Sequence, residues 1–189
     1  MEDPPPARID AERNRRALLT AAAGALALDP DASLSEVARA AGLTRATLYR
    51  HFASRERLLT ALREDALAAA RGAVAAARVG EGTSLEALRR VITALVALGG
   101  RFWPLLADGA AGDPDFVRGR EAVFAPVLGI VQRGQDAGEI RGDLRADWAV
   151  TALMAVLAAG VREARGSAEV DVADRVLNTI AFGIHLPEP

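Results

Sequence analysis

An all-α fold is what this sequence predicts, and three observations predict it. Ala, Leu, Arg and Glu dominate, and no segment sustains the period-2 alternation of β-branched residues that marks strands. Apolar residues make up 51% of the 189, enough to bury a full core in one large domain or two small ones. Cap-type residues (Ser33, Thr44, Ser54) stand directly ahead of apolar-periodic segments, and Gly or Pro punctuates the segments' ends.

The elements follow in order. Pro4, Pro5 and Pro6 lie in a leader over residues 1–9. Residues 10–27 form a first helix with Leu18, Ala22 and Leu26 on one stripe, and DPDAS at 29–33 breaks it. Ser33 caps a short helix over 34–41, with Glu36 placed so that its carboxylate can reach back to the cap. Gly42 ends that helix, and Thr44 caps another over 45–51. Ser54 caps a long helix running to about Arg78, and VGEGTS at 79–84 is the clearest boundary in the chain. Beyond it, helices are expected at 84–99, near 102–108, and at about 114–136, 146–165 and 168–185. DGAAGDPD and DAGEIRGDLRAD are the loops between them.

Composition narrows the function. The longest apolar run, WAVTALMAVLAAGV at 148–161, is 14 residues and contains a Thr, whereas a bilayer span needs about 20. No membrane partner is expected. The stretch MEDPPPARIDAERN lacks a basic region followed by an apolar one, so no secretory signal is expected and the cytoplasm is the expected compartment. The absence of Cys excludes disulfides, thiolate metal sites and thiol nucleophiles. Charge is uneven: residues 8–63 carry ten Arg against six acids, and residues 64–189 carry thirteen Arg against seventeen. A cationic block on an acidic body points to a polyanion for one end only.

Within that cationic block, 34–41, Gly42 and 45–51 have the spacing of a helix-turn-helix. Two helices that cross steeply need a small residue at the crossing (Ala38), a turn position that accepts positive φ (Gly42), and apolar residues that lock the pair (Val37, Ala41, Leu43, Leu48). The segment SLSEVARAAGLTRATLYRHFASRERLL, residues 33–59, and above all TLYRHF followed by SRERLL, resembles the TetR family of bacterial transcription regulators. The resemblance extends loosely over the first 65 or so residues; beyond them only the helical layout matches, with GEIRGDLRADWA similar to a segment many members carry. Leu26 stands where members often place Phe, and Leu28-Asp29-Pro30 replaces the usual charged residues and Gly. The expected organisation is a leader (1–9), a DNA-binding domain (10–54), a connecting helix (55–78) and a ligand-binding and dimerisation domain (79–189).

In such a motif the second helix enters the major groove with its N-terminal side chains against base edges. Arg45, Ala46 and Thr47 open that helix, and Arg45 suits bidentate contact with a guanine. Tyr49, Arg50 and His51 lie further along and meet phosphate oxygens. The resemblance assigns Ser33, Thr44 and Arg55 to phosphates as well, although Ser33 and Thr44 also serve as caps. Phe52 and Leu48 are core. The partner this implies is a double-stranded operator.

Catalysis finds no support. His51 and His185 lie at opposite ends of the chain, no His pair has metal spacing, and no Ser sits in a nucleophile elbow. GEGTS lacks a preceding strand and a following Lys, so it is not a phosphate loop. No cofactor, metal or catalytic residue is expected.

The last two helices are strongly apolar, the first almost all round, and Ala155, Ala158, Ala159 and Gly160 permit close helix approach. Pairing with a second copy into a four-helix bundle covers such a surface, and the resemblance implies the same homodimer. Five of eight aromatics (Phe102, Trp103, Phe116, Phe124, Trp148) fall between 102 and 148, among glycines and prolines including Gly129 and Pro126, which are expected to interrupt the helices there. Short helices with bulky apolar walls leave room for a ligand cavity, which the resemblance also implies. Its expected walls are Phe102, Trp103, Leu106, Phe116, Phe124, Leu128 and Trp148, with Arg101 or Arg118 as a polar anchor. The resulting reading is a regulator released from its operator by a small-molecule effector. The rivals are an activator or effector-independent regulator, and a helical small-molecule-binding protein with a vestigial helix-turn-helix.

Overall fold

A computed structural model of the chain describes residues 6–40, 42–102, 113–163 and 169–184. Among these, every regular element is helical: α1 Pro6–Leu28, α2 Leu34–Ala40, α3 Arg45–His51, α4 Arg55–Ala76, α5 Ser84–Val96, a 3-10 turn at Gly99–Phe102, α6 Pro114–Asp136, α7 Ala146–Glu163 and α8 Glu169–Ile184. None is long and apolar enough to cross a membrane. The chain divides into two compact units, residues 1–65 and 66–189, and the division falls inside α4.

In unit 1, α1 packs on α2 and α2 on α3. The α1 stripe is buried as its period requires (Leu18, Leu19, Ala22, Leu26), together with Val37, Ala38, Leu48, Phe52, Leu58 and Leu62. Helix α1 starts at Pro6 rather than at residue 10, which shortens the expected leader. Proline suits a first helical position, where its missing N–H would have had no partner and its φ is already helical.

In unit 2, α5 packs against α6 and α8, and α7 bridges α6 and α8. Leu88, Val91, Ile92 and Leu95 of α5 meet a core completed by Ile130, Val131, Leu157, Val172, Val176 and Ile180. Thr83 caps α5 in a full capping box with Glu86, and the Glu139 carboxylate accepts the Ser84 N–H at 2.6 Å from the loop after α6. The turn that follows α4 is clamped by two arginines. Arg90 donates to the carbonyls of Ala77 (2.8 Å), Arg78 (3.0 Å) and Glu81, and Arg133 to that of Val79 (2.9 Å).

Three expectations change here. Helix α5 stops at Val96 instead of 99, and Gly99, at φ +52°, takes the chain into a 3-10 turn. Pro126 and Gly129 do not interrupt α6, which runs unbroken from Pro114 to Asp136. The N–H that Pro126 lacks would have reached the Ala122 carbonyl, and both residues lie on the exposed face, where a helix tolerates the missing bond better than in a core because solvent can take its place. Gly160 serves the chain's own packing: a Cβ there would stand 2.6 Å from Val176 Cγ2 and 3.2 Å from Val172 Cγ1. The small residue lets α7 and α8 approach within one chain. The outward stripe of α7 is instead Trp148, Thr151, Ala155 and Ala159.

Candidate nucleic-acid interface

The α2–α3 turn is built by backbone hydrogen bonds that only a left-handed residue allows. Gly42 sits at φ +67°. Its N–H reaches the Arg39 carbonyl at 3.0 Å, and the Leu43 N–H reaches that of Ala38 at 2.8 Å. This pair of bonds is a Schellman closure of α2 with glycine at the position that needs no Cβ. Ala41, expected to help lock the pair, lies outside the described residues; Val37 and Ala38 are buried and Leu43 is half-buried.

Helix α3 starts at its cap. Thr44 Oγ1 accepts the Thr47 N–H at 3.2 Å and lies 2.9 Å from Thr47 Oγ1. The inward side of α3 is Leu48 and, just past its end, Phe52, whose N–H closes the helix on the Leu48 carbonyl at 2.8 Å. Everything polar faces outward: Thr44, Arg45, Tyr49, Arg50 and His51 are exposed, as is Ala46, with Thr47 half-buried. The structure thus gives six exposed side chains between 44 and 51, with guanidinium groups at two of them, Arg45 and Arg50.

The three residues given phosphate roles by resemblance are placed differently from one another. Ser33 and Glu36 form a capping box: the Ser33 N–H donates to Glu36 Oε2 at 2.8 Å, its hydroxyl to the same oxygen at 2.7 Å, and the Glu36 N–H returns to Ser33 Oγ at 3.3 Å. These bonds from Ser33, side chain foremost, hold the Glu36 carboxyl below its ordinary range. Thr44 is the α3 cap. Arg55, at the start of α4 where Ser54 Oγ accepts the Arg57 N–H at 3.2 Å, donates to the carbonyls of Ala32 and Pro30. It clasps the α1–α2 loop, a role its sequence position does not signal because the acceptors are backbone atoms far back along the chain. One feature was readable from spacing: Arg45 and Tyr49 are four apart on α3, and the Arg45 guanidinium carbon lies 5.1 Å from the Tyr49 ring centroid.

The expected ligand walls scatter more. Phe116 and Phe124 are buried in unit 2 and Leu128 is half-buried. Trp148 is 57% exposed on the outer face of α7. Trp103 and Leu106, with the helix expected near 102–108, lie outside the described residues, as does the Phe102 side chain. Arg118 pairs with Asp115 at the surface and so does not serve as an interior anchor; Arg101 is half-buried at the 3-10 turn.

Residues 18–62, which contain the whole α2–turn–α3 arrangement, match the family model of bacterial regulatory proteins, tetR family. Over 179 residues the chain is 29% identical to the HTH-type transcriptional repressor LfrR of Mycolicibacterium smegmatis, covering 92% of this chain and 91% of that one. The crystal structure of LfrR from Mycobacterium smegmatis in complex with proflavine superposes with a TM-score of 0.75 at 26% identity, over 94% of this chain and 99% of that chain. The ketosteroid transcriptional regulator KstR2 of Mycobacterium tuberculosis shares the fold at TM-score 0.71 and 21% identity, over 92% and 96% of the two chains. The turn, the buried frame of α3 and these likenesses agree: residues 18–62 match the model of the TetR family of bacterial regulatory proteins, and the chain as a whole is similar to TetR-like transcriptional regulators.

Proposed function

We propose that the protein is a dimeric transcriptional repressor that reads a pseudo-palindromic operator through α3 and leaves it when a small organic molecule binds unit 2. One observation carries the DNA-binding reading: the exposed Arg45–His51 face stands on a helix whose other side is fully buried at Leu48. Arg45 and Thr47 face base edges and Arg50 and His51 meet phosphates. Fluorescence anisotropy on duplexes selected from a randomised pool, repeated at several salt concentrations, tests it. Arg45→Ala is expected to cost about 1–3 kcal/mol and to relax preference at one base step per half-site. Affinity and preference both unchanged would reject the assignment.

Support for the dimer comes from α7, whose outward stripe pairs an exposed Trp148 with small Ala155 and Ala159. An exposed tryptophan beside alanines is a surface suited to a second helix, and it gives Trp148 a place at an interface rather than in a cavity. Support for an effector comes from LfrR, solved with proflavine, and from the aromatic residues Phe116 and Phe124 in this chain's unit 2 core. Proflavine is therefore the probe. Its expected effect on operator affinity is a loss of about 5- to 150-fold, and operator must weaken proflavine binding by the same factor. A scrambled duplex of equal length separates this from dye that binds DNA. Helix α4 belongs to both units and is the covalent route for that coupling.

A further inference from the structure

We propose that Tyr49 is a positioning residue for base recognition: it holds the Arg45 guanidinium over its ring, so that the arginine meets the DNA already ordered. The proposal rests on the reading of α3 as the recognition helix. The guanidinium carbon lies 5.1 Å from the ring centroid, and Arg45 Nη2 donates to the phenol oxygen at 3.4 Å. The helix itself dictates this arrangement. Residues four apart share a face, and helical side chains lean toward the N-terminus, so a ring at 49 lies back over the turn that carries residue 45. Neither side chain belongs to the buried frame; Tyr49 is 40% exposed, while Leu48 beside it is fully buried.

The ring contact and the single Nη2–phenol bond hold the guanidinium in place while its remaining N–H groups stay available to acceptors, which a bidentate guanine contact needs. A mobile arginine loses rotamer freedom on docking, and one already held against a ring loses less. Selectivity at the Arg45 step then depends on Tyr49 although the phenol reads no base. A phosphate contact from the same phenol predicts something different: a uniform loss on every sequence, with no change of preference.

The test uses the full-length protein with Tyr49→Phe, Tyr49→Leu, Arg45→Ala and the Arg45→Ala/Tyr49→Leu double variant. The probes are the duplex selected on the wild type from a randomised pool, and the same duplex changed one base step at a time. Tyr49→Leu is expected to lower discrimination by about two- to fivefold at the step that Arg45→Ala flattens. It should add nothing there in the Arg45→Ala background, and Tyr49→Phe, which keeps the ring, should retain wild-type discrimination. Circular dichroism melts matching the wild type confirm that the variants fold. Tyr49→Leu that weakens all duplexes alike at unchanged discrimination overturns the proposal, as does an effect on that step that persists without Arg45. A wild type that selects no consensus overturns the recognition-helix reading itself, a failure seen before any variant is made.

Discussion

In unit 1 the hydrogen bonds that frame α2 and α3 join residues close in the chain, the Arg55 clasp apart, whereas unit 2 adds to its local bonds several across long separations. Around α2 and α3 the decisive contacts span three to five residues: Ser33 with Glu36, Leu43 with Ala38, Thr47 with Thr44, Phe52 with Leu48. In unit 2 the Arg133 guanidinium reaches the Val79 carbonyl, 54 residues away, and the Ser84 N–H reaches Glu139, 55 away. Arg89 joins α5 to α8 by pairing with Asp174 at 2.8 Å. A surface presented to DNA benefits from rigid local framing, because each base contact tolerates little displacement. A body that takes up a ligand gains instead from contacts that two distant segments share, since those are the ones a bound molecule can redistribute.

The chain carries its own reporters for that contrast. Its only tyrosine, Tyr49, lies in unit 1, and both tryptophans lie in unit 2. The largest expected effect comes from Leu48→Ala. Leu48 is fully buried, and deleting it removes the anchor of α3 at a cost of about 2–5 kcal/mol. Operator binding should be lost and the near-ultraviolet tyrosine signal should melt at much lower temperature, while the tryptophan transition moves far less. Equal shifts in both signals would mean that the two units unfold as one, and the contrast between them would lose its energetic meaning.

Gly160→Leu should act on the other side. Its Cβ would press on Val176 and its longer side chain further into α8, an overpacking cost of about 1–3 kcal/mol. The tryptophan transition is expected to fall and the tyrosine signal to hold. Ala159→Glu, on the outward stripe of α7, is the control: it should leave the melt near wild type and shift the sedimentation profile from dimer to monomer. A Gly160→Leu protein that melts normally yet dissociates would return Gly160 to the dimer surface, where its small size alone suggested it.

That contrast also explains what could be read in advance. The caps at Ser33, Thr44 and Ser54, the glycine turn and the buried frame of α3 were legible because each is a local pattern of residue types. The Arg55 clasp was not, since its acceptors at Pro30 and Ala32 are backbone carbonyls that any residue would supply. Pro126 misled because whether proline ends a helix depends on which face it occupies, and that is set by tertiary packing. Gly160 misled in the same way: smallness marks close approach, but only the fold says to which helix. The burial of the aromatic residues was least legible, because residues gathered in sequence, such as Phe124 and Trp148, end up on opposite sides of the burial divide.

The smallest effect tests a feature the two units share. Glu36 in unit 1 and Glu86 in unit 2 each close a capping box. Hydrogen bonds from Ser33, its side chain before its backbone, hold the Glu36 carboxyl below the ordinary range; bonds from Thr83, backbone before side chain, do the same for Glu86. A carboxyl whose value is lower in the folded chain stabilises that chain above the unfolded value, about 4.3 for glutamate, and the contribution is lost as pH falls through the folded value. The contribution of both boxes is therefore full and independent of pH near neutrality, and it is lost only on the acid side, as pH falls through the lowered folded values. Glutamine at the same position can still accept the cap bonds but cannot titrate. Glu36→Gln should thus flatten the acid slope of the tyrosine transition alone, and Glu86→Gln that of the tryptophan transition alone. If either substitution moves both signals together, the boxes report on a single cooperative body, and the division inside α4 marks a boundary of contacts without being a boundary of stability.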